Sequence, residues 1–415
     1  MTGPAGPPGL EPGSPQLRRL TLAMLAAGLA AFSLLYVPQA LLPSIGTAFD
    51  RGPVATSLTV SVSTGALALA LLPLSSLAET VGRTRLMRLG LVAAVVVAAG
   101  AALAPAFWLL LLLRAGVGLA LGAVIAVAVG HLGDEVGPAA AGTAIGVCVS
   151  GNSLGGVAGR LVPGAVSEAL DWRGAMLVLV GAAALAVVAF LVLLPPARRF
   201  TPIPPAFAAH RRALAGLWAD RAVRRLCLVA FLLMGGFVAC YNYLTFRLEA
   251  APFGLAPSVV SLVFLAYLAG TVSSPVAGRS AARGGRRRIV AGSILTAVAG
   301  LLLTLPDRLP AVVVGLTVFT AGFFAAHAVA SGWVARRAVA ARGQGAALYL
   351  LGYYLGSSTL GALVGLAYER GSWPATVLVI AVLYLVAALL LPRGPAAERP
   401  PEPARLGTIA TEAPQ

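Results

Sequence analysis

Arg114, Arg160 and His327 stand inside long apolar runs, where a charge or a proton carrier is least expected. An arginine at the centre of a membrane helix costs about 3 kcal/mol even on the mildest scale, so it turns toward a cavity or a partner. Arginine does not titrate usefully. Arg114 therefore suits orienting a substrate anion, a water chain or backbone carbonyls. His327 is the one mid-run group that titrates near neutrality, a candidate proton site, although a lone histidine is more often a packed residue. No Asp or Glu lies deep in any run; Glu168, Glu249 and Glu369 fall at run ends. The usual buried carboxylate of a proton-driven machine is thus missing. A second set is polar and aromatic: Tyr36, Gln39, Asn152, Tyr241, Asn242, Tyr267 and Tyr353. Aromatic walls with few fixed charges suit an amphipathic or cationic organic molecule. The positive Arg114 argues instead for an anionic or neutral one.

The elements that position these groups follow from composition. Of 415 residues 59% are hydrophobic and 11% charged, where a soluble chain carries about a quarter charged. Runs of about 20 apolar residues recur, the length of a helix that crosses about 30 Å of hydrocarbon. Twelve such spans are expected, in an all-α membrane protein. All thirty basic residues are arginine, and twenty-three of them fall on the side of the termini against four on the other. That asymmetry orients both termini to the cytoplasm and excludes nucleic-acid binding as the reason for the +16 charge. Cys148, Cys227 and Cys240 form no metal or disulfide spacing, and no Walker-type loop is present, so no metal, cofactor or nucleotide drive is expected.

The chain divides as a disordered tail over 1–17, a six-helix bundle over 18–195, a Pro-rich basic linker over 196–222, a second bundle over 223–394 and a disordered tail over 395–415. Three pairs, Gly155 and Gly356, Gly164 and Gly365, Trp172 and Trp373, are each 201 residues apart, which supports a duplicated unit. A polar hinge holding Glu79, Gly82 and Arg83 between spans two and three has an echo at Gly285. Glu79 is expected to face a helix N-terminus of the other half, and Arg83 to pair with Asp134 or Glu135, latching the cytoplasmic ends. Gly151, Gly155 and Gly159 recur every four residues and form one smooth stripe for close helix approach, which Pro163 and Gly164 make bendable.

The hinge Leu77-Ala-Glu-Thr-Val-Gly82-Arg83, the Leu111-x-x-Arg114-x-x-x-Gly118 segment and the Gly-rich stretch 151–164 resemble motifs of the major facilitator superfamily. With Phe323–Trp333 and Tyr349–Ser358, they are similar to bacterial efflux-type carriers of the YnfM kind. The resemblance implies two pseudo-symmetric six-helix bundles that rock about a central site. It implies a monomeric secondary transporter of the bacterial inner membrane, exporting small organic molecules or drugs in exchange for protons. An uptake symporter or facilitator for a sugar or other metabolite shares the fold and is the alternative. Arg160 stands where the family's motif usually has proline.

Overall fold

The computed structural model describes residues 9–200 and 207–393. The first half holds α1 (Pro15–Tyr36), α2 (Leu42–Phe49), α3 (Pro53–Val81), α4 (Arg83–Ala102), α5 (Phe107–Ile125), α6 (Ala128–Glu135), α7 (Pro138–Val166) and α8 (Trp172–Leu193). After α9 (Phe207–Ala219), the second half holds α10 (Arg221–Glu249), α11 (Pro257–Ser261), α12 (Leu268–Gly284), α13 (Arg286–Leu303), α14 (Leu309–Arg337), α15 (Arg342–Leu363) and α16 (Gly365–Leu390). Ten helical stretches are long and apolar enough to cross a bilayer. Two more complete the set of twelve: α13, which opens on three arginines, and α15, diluted by tyrosine, serine and glycine. In lipid every backbone polar group must be satisfied within the protein, and helices do this one span at a time.

Breaks in the helices have local causes. Pro38 offers no N–H, and α1 passes at Val37–Ala40 into a 3-10 turn before α2. Within α16, Gly371 and Ser372 are non-helical and Pro374 restarts the helix. The two hinges repeat each other: Gly82 (φ 99°) and Gly285 (φ 81°) both take a left-handed conformation that a side chain would strain.

The halves are built alike. α1 lies along α7 and α8, α3 along α5, and α4 along α5 and α8; in the second half α10 lies along α15 and α16, α12 along α14, and α13 along α14 and α16. A Cβ on Gly151 would stand 2.4 Å from the Leu25 carbonyl, one on Gly155 2.4 Å from that of Leu29, and one on Gly159 2.7 Å from that of Ser33. The stripe therefore presses backbone on backbone, where dispersion replaces the hydrophobic drive that lipid removes. The halves meet where α3 runs along α15 and where α7 touches α11.

The expected tails and linker need correction. Leu10 is buried, its N–H donating to the Glu135 carbonyl at 2.8 Å while its own carbonyl accepts from Gly137 at 3.0 Å. Ser14 caps α1 by accepting from the Leu17 N–H. Residues 9–17 are thus ordered, because an apolar side chain and a Ser-Pro cap are enough to pin them; residues 1–8 lie outside the described part. The linker is not uniformly irregular. It carries α9, and α10 starts at Arg221, capped by Asp220, which also pairs with Arg337 at 2.8 Å. The tail over 395–415 lies outside the described residues.

Candidate functional site

The last turns of α7 carry Arg160 to the seam between the halves, where it is 2% exposed. Its Nε donates to Gln39 Oε1 at 2.6 Å, and one Nη donates to the carbonyl of Gly156 on its own helix. Gln39 Nε2 in turn donates to Asn242 Oδ1 at 2.7 Å. A buried hydrogen-bonded chain therefore runs from α7, through the 3-10 turn that Pro38 starts, to α10 of the other half. The guanidinium carbon lies 4.1 Å from the ring centre of Tyr36, 4.6 Å from that of Tyr267 and 5.3 Å from that of Phe264. Such contacts contribute about 2 kcal/mol each when desolvated. Of the expected cavity set, Tyr36, Gln39, Asn242 and Tyr267 are gathered here.

Arg114 is fully buried but occupied differently. Nε donates to the Thr59 carbonyl at 3.0 Å, and the two Nη atoms donate to the carbonyls of Leu34 (2.8 Å) and Leu35 (2.5 Å). Leu34 is the residue whose carbonyl loses its helical partner because Pro38 has no N–H. Of the roles open to it, Arg114 takes the backbone one: it staples α5 to α1 and α3 at the break in α1.

The second half faces the seam with rings. Phe237 stacks on Phe323 with centroids 3.8 Å apart, Tyr241 stacks on Phe264 at 5.2 Å, and Tyr241 shares a 2.7 Å hydrogen bond with Thr320. His327 Nδ1 lies 3.0 Å from the Tyr349 hydroxyl and its ring lies 4.7 Å from that of Tyr353. Asn152 is not part of this cluster. It stands eight residues before Arg160, about 12 Å along α7, and its side chain abuts Gly28 of α1.

At the end that holds Pro15 and Leu390, Arg83 forms an ion pair with Asp134 and donates to the Gly130 carbonyl at 3.1 Å. Glu135 accepts from the backbone N–H groups of Arg198 and Arg199 at 3.0–3.1 Å. Both acids thus bind the hinge and the start of the linker to α6, within the first half. Glu79 is half-buried on the last turn of α3, in electrostatic contact with Arg83. Gly164 brings α7 against Ser261 of α11, where a Cβ would stand 2.2 Å from the serine Cβ, and Pro163 is buried beside it.

The opposite end shows what sequence reasoning missed. Glu168, just past α7, accepts from the Ser258 N–H at 3.2 Å and from its hydroxyl, at the start of the eighth span. Glu369, at the end of the eleventh span, accepts from the Val54 N–H at 3.1 Å, at the start of α3. Each half sends a glutamate to a helix N-terminus of the other, where negative charge is favoured. The two acids are 201 residues apart, the same shift as the glycines, and that was the signal. Phe264 carried no signal, being one ring in an apolar run.

Twelve spans in two equivalent bundles, with a polar cluster buried at their seam, define a carrier-type membrane protein. The Major Facilitator Superfamily model matches residues 20–255 and 244–413, and the chain belongs to that family. It is 38% identical to the uncharacterized MFS-type transporter YybF of Bacillus subtilis over 92% of this chain and 94% of that one. It is 38% identical to the inner membrane transport protein YnfM of Escherichia coli over 92% and 91% of the two chains. Among solved structures, a bacterial homologue of the human lysosomal transporter Spinster, inward-facing and occupied, superposes with TM-score 0.74 at 15% identity over 91% of this chain and 97% of that one.

Proposed function

We propose that this member of the superfamily is a secondary active exporter of small organic molecules, working by alternating access in exchange for protons. It acts as a monomer in a bacterial inner membrane, with both termini cytoplasmic. The observation that carries the reading is the Arg160–Gln39–Asn242 chain, a polar cluster that joins the two halves at the place where a rocking carrier must hold its substrate. The arginine asymmetry supports the orientation. Glu168 and Glu369 then close the external end, and the Gly151–Gly164 stretch of α7 is the surface on which α1 moves. Arg83, Asp134 and Glu135 stiffen the cytoplasmic end. His327, bonded to Tyr349, is the candidate proton carrier.

Inside-out proteoliposomes with an acidic lumen test this. Uptake of organic compounds that dissipates the pH gradient is expected. Accumulation only under the reverse gradient would make the protein a symporter, and no movement of any compound would refute the carrier reading.

A further inference from the structure

Arg160 is a buried cation with no anion beside it. Among the described residues no carboxylate lies within ion-pair distance, whereas Arg83, Arg247 and Arg337 each have one. Arg114 also lacks an acid, yet its Nε and both Nη atoms donate to backbone carbonyls near the end of α1, where helix carbonyls carry partial negative charge. Arg160 has no such arrangement: Nε and Nη1 are used, and Nη2 donates to nothing among the described residues.

The neighbours extend this surplus of donors. Arginine can only donate, so Gln39 must present its oxygen to Nε and its NH2 to Asn242. Asn242 must then accept with Oδ1, which leaves its own NH2 free. That nitrogen, Nδ2, is buried without a partner among the described residues, and the residue is 0% exposed. The chemistry of the chain thus dictates that both its ends offer N–H groups. Tyr36, Tyr267 and Phe264 wall the guanidinium with flat rings.

We infer that the seam site takes an organic anion, a carboxylate on an aromatic or aliphatic body, whose charge is held by Arg160 and Asn242 and whose body lies along the rings. A charge-assisted bond to a carboxylate satisfies the free guanidinium N–H groups and neutralises the buried cation together. An organic ammonium would instead meet like charge. This inference rests on the carrier reading and names its substrate class.

The test is thermal unfolding of the purified full chain in detergent with 3-phenylpropionate, benzoate and hexanoate. 3-Phenylpropanamide and 3-phenylpropylamine serve as the uncharged and cationic counterparts. The carboxylates are expected to raise the unfolding midpoint with concentration, and the amide and amine to leave it unchanged. Gln39→Glu places a carboxylate on Arg160 Nε with almost no change of shape; it should stay folded and weaken 3-phenylpropionate binding by about tenfold or more. Arg160→Met should do the same, and the glutamate variant keeps the test decisive if the methionine variant fails to fold. Protection by the amine or amide equal to that of the carboxylate, wild-type binding by Gln39→Glu, or no shift with any carboxylate would each overturn the inference. Proteoliposome flux separates this from the carrier reading. Transport of uncharged or cationic compounds without carboxylate binding leaves a carrier and removes the anion site. Carboxylate binding without flux of any compound does the reverse.

Discussion

In the first half, Gly151 and Gly155 of α7 press on the carbonyls of Leu25 and Leu29; in the second, Gly352 and Gly356 of α15 press on those of Cys227 and Phe231. The next position along the stripe is exchanged. Gly159 faces Ser33 in one half, whereas in the other Leu360 takes the glycine's place and packs on Gly235. A glycine thus lies at this crossing in both halves, on α7 in the first and on α10 in the second, so that one backbone is left bare at the contact, as close packing requires. The seam differs more. The first half brings Arg160 and Gln39, and the second brings Asn242 with the rings of Phe237, Tyr241, Phe264, Tyr267 and Phe323. A duplicated scaffold thus keeps its helix contacts paired and divides its chemistry, the first half supplying the charge with the ring of Tyr36 and the second most of the walls.

The ends of the third and ninth spans repeat the pattern with different donors. Arg173 donates to the Ala104 carbonyl at 3.1 Å, while the corresponding turn of the second half is held by Arg247, which reaches Leu305, Pro306 and Asp307 at 2.8–3.2 Å. Arg247 is therefore bonded to a turn.

If the stripes are equivalent, Gly155→Leu and Gly356→Leu should fail alike. Each forces a side chain into a backbone contact, with expected losses of about 3 kcal/mol or more, read as loss of monodisperse protein on size-exclusion chromatography. A tolerated change in either half would break the equivalence. Arg114→Ala and Arg247→Ala leave buried carbonyls without donors, at about 1–3 kcal/mol for each group left unsatisfied. Both should lower the unfolding midpoint, and transport lost from Arg114→Ala at normal stability would return that residue to the substrate path.

The glutamate pair is expected to act additively. Glu168→Gln and Glu369→Gln each remove about 0.3–1 kcal/mol of charge at a helix N-terminus, and the double variant should raise maleimide labelling of a cysteine placed at Ser258 more than either alone. A further difference of about the same size separates the two tryptophans. Trp373 Nε1 donates to Thr304 at 3.0–3.2 Å, whereas Trp172 Nε1 has no partner among the described residues. Trp373→Phe should cost about 1 kcal/mol more than Trp172→Phe in thermal unfolding.

Span length, the arginine asymmetry and the 201-residue repeat were legible because each is a one-dimensional signal: hydropathy, charge and spacing. So were the hinge glycines and the pairing of Arg83 with the Asp134–Glu135 cluster, of which the structure selects Asp134, since clustered acids are few in the loops on that side. What could not be read was the use of each buried arginine. Arg114 and Arg160 look alike as letters in apolar runs. Only the packing of α1 against α5 and α7 decides that Arg114 meets backbone carbonyls, among them the Leu34 carbonyl freed by Pro38, while Arg160 meets rings and a donor-bearing amide.

The sequence by itself determined that the chain crosses a membrane twelve times as a doubled unit, because those properties sum over many residues and tolerate local error. The tertiary structure decided which polar groups are satisfied and which are left with donors to spare. Hydrogen bonds depend on position to within a few tenths of an ångström, and helices far apart in the chain set those positions.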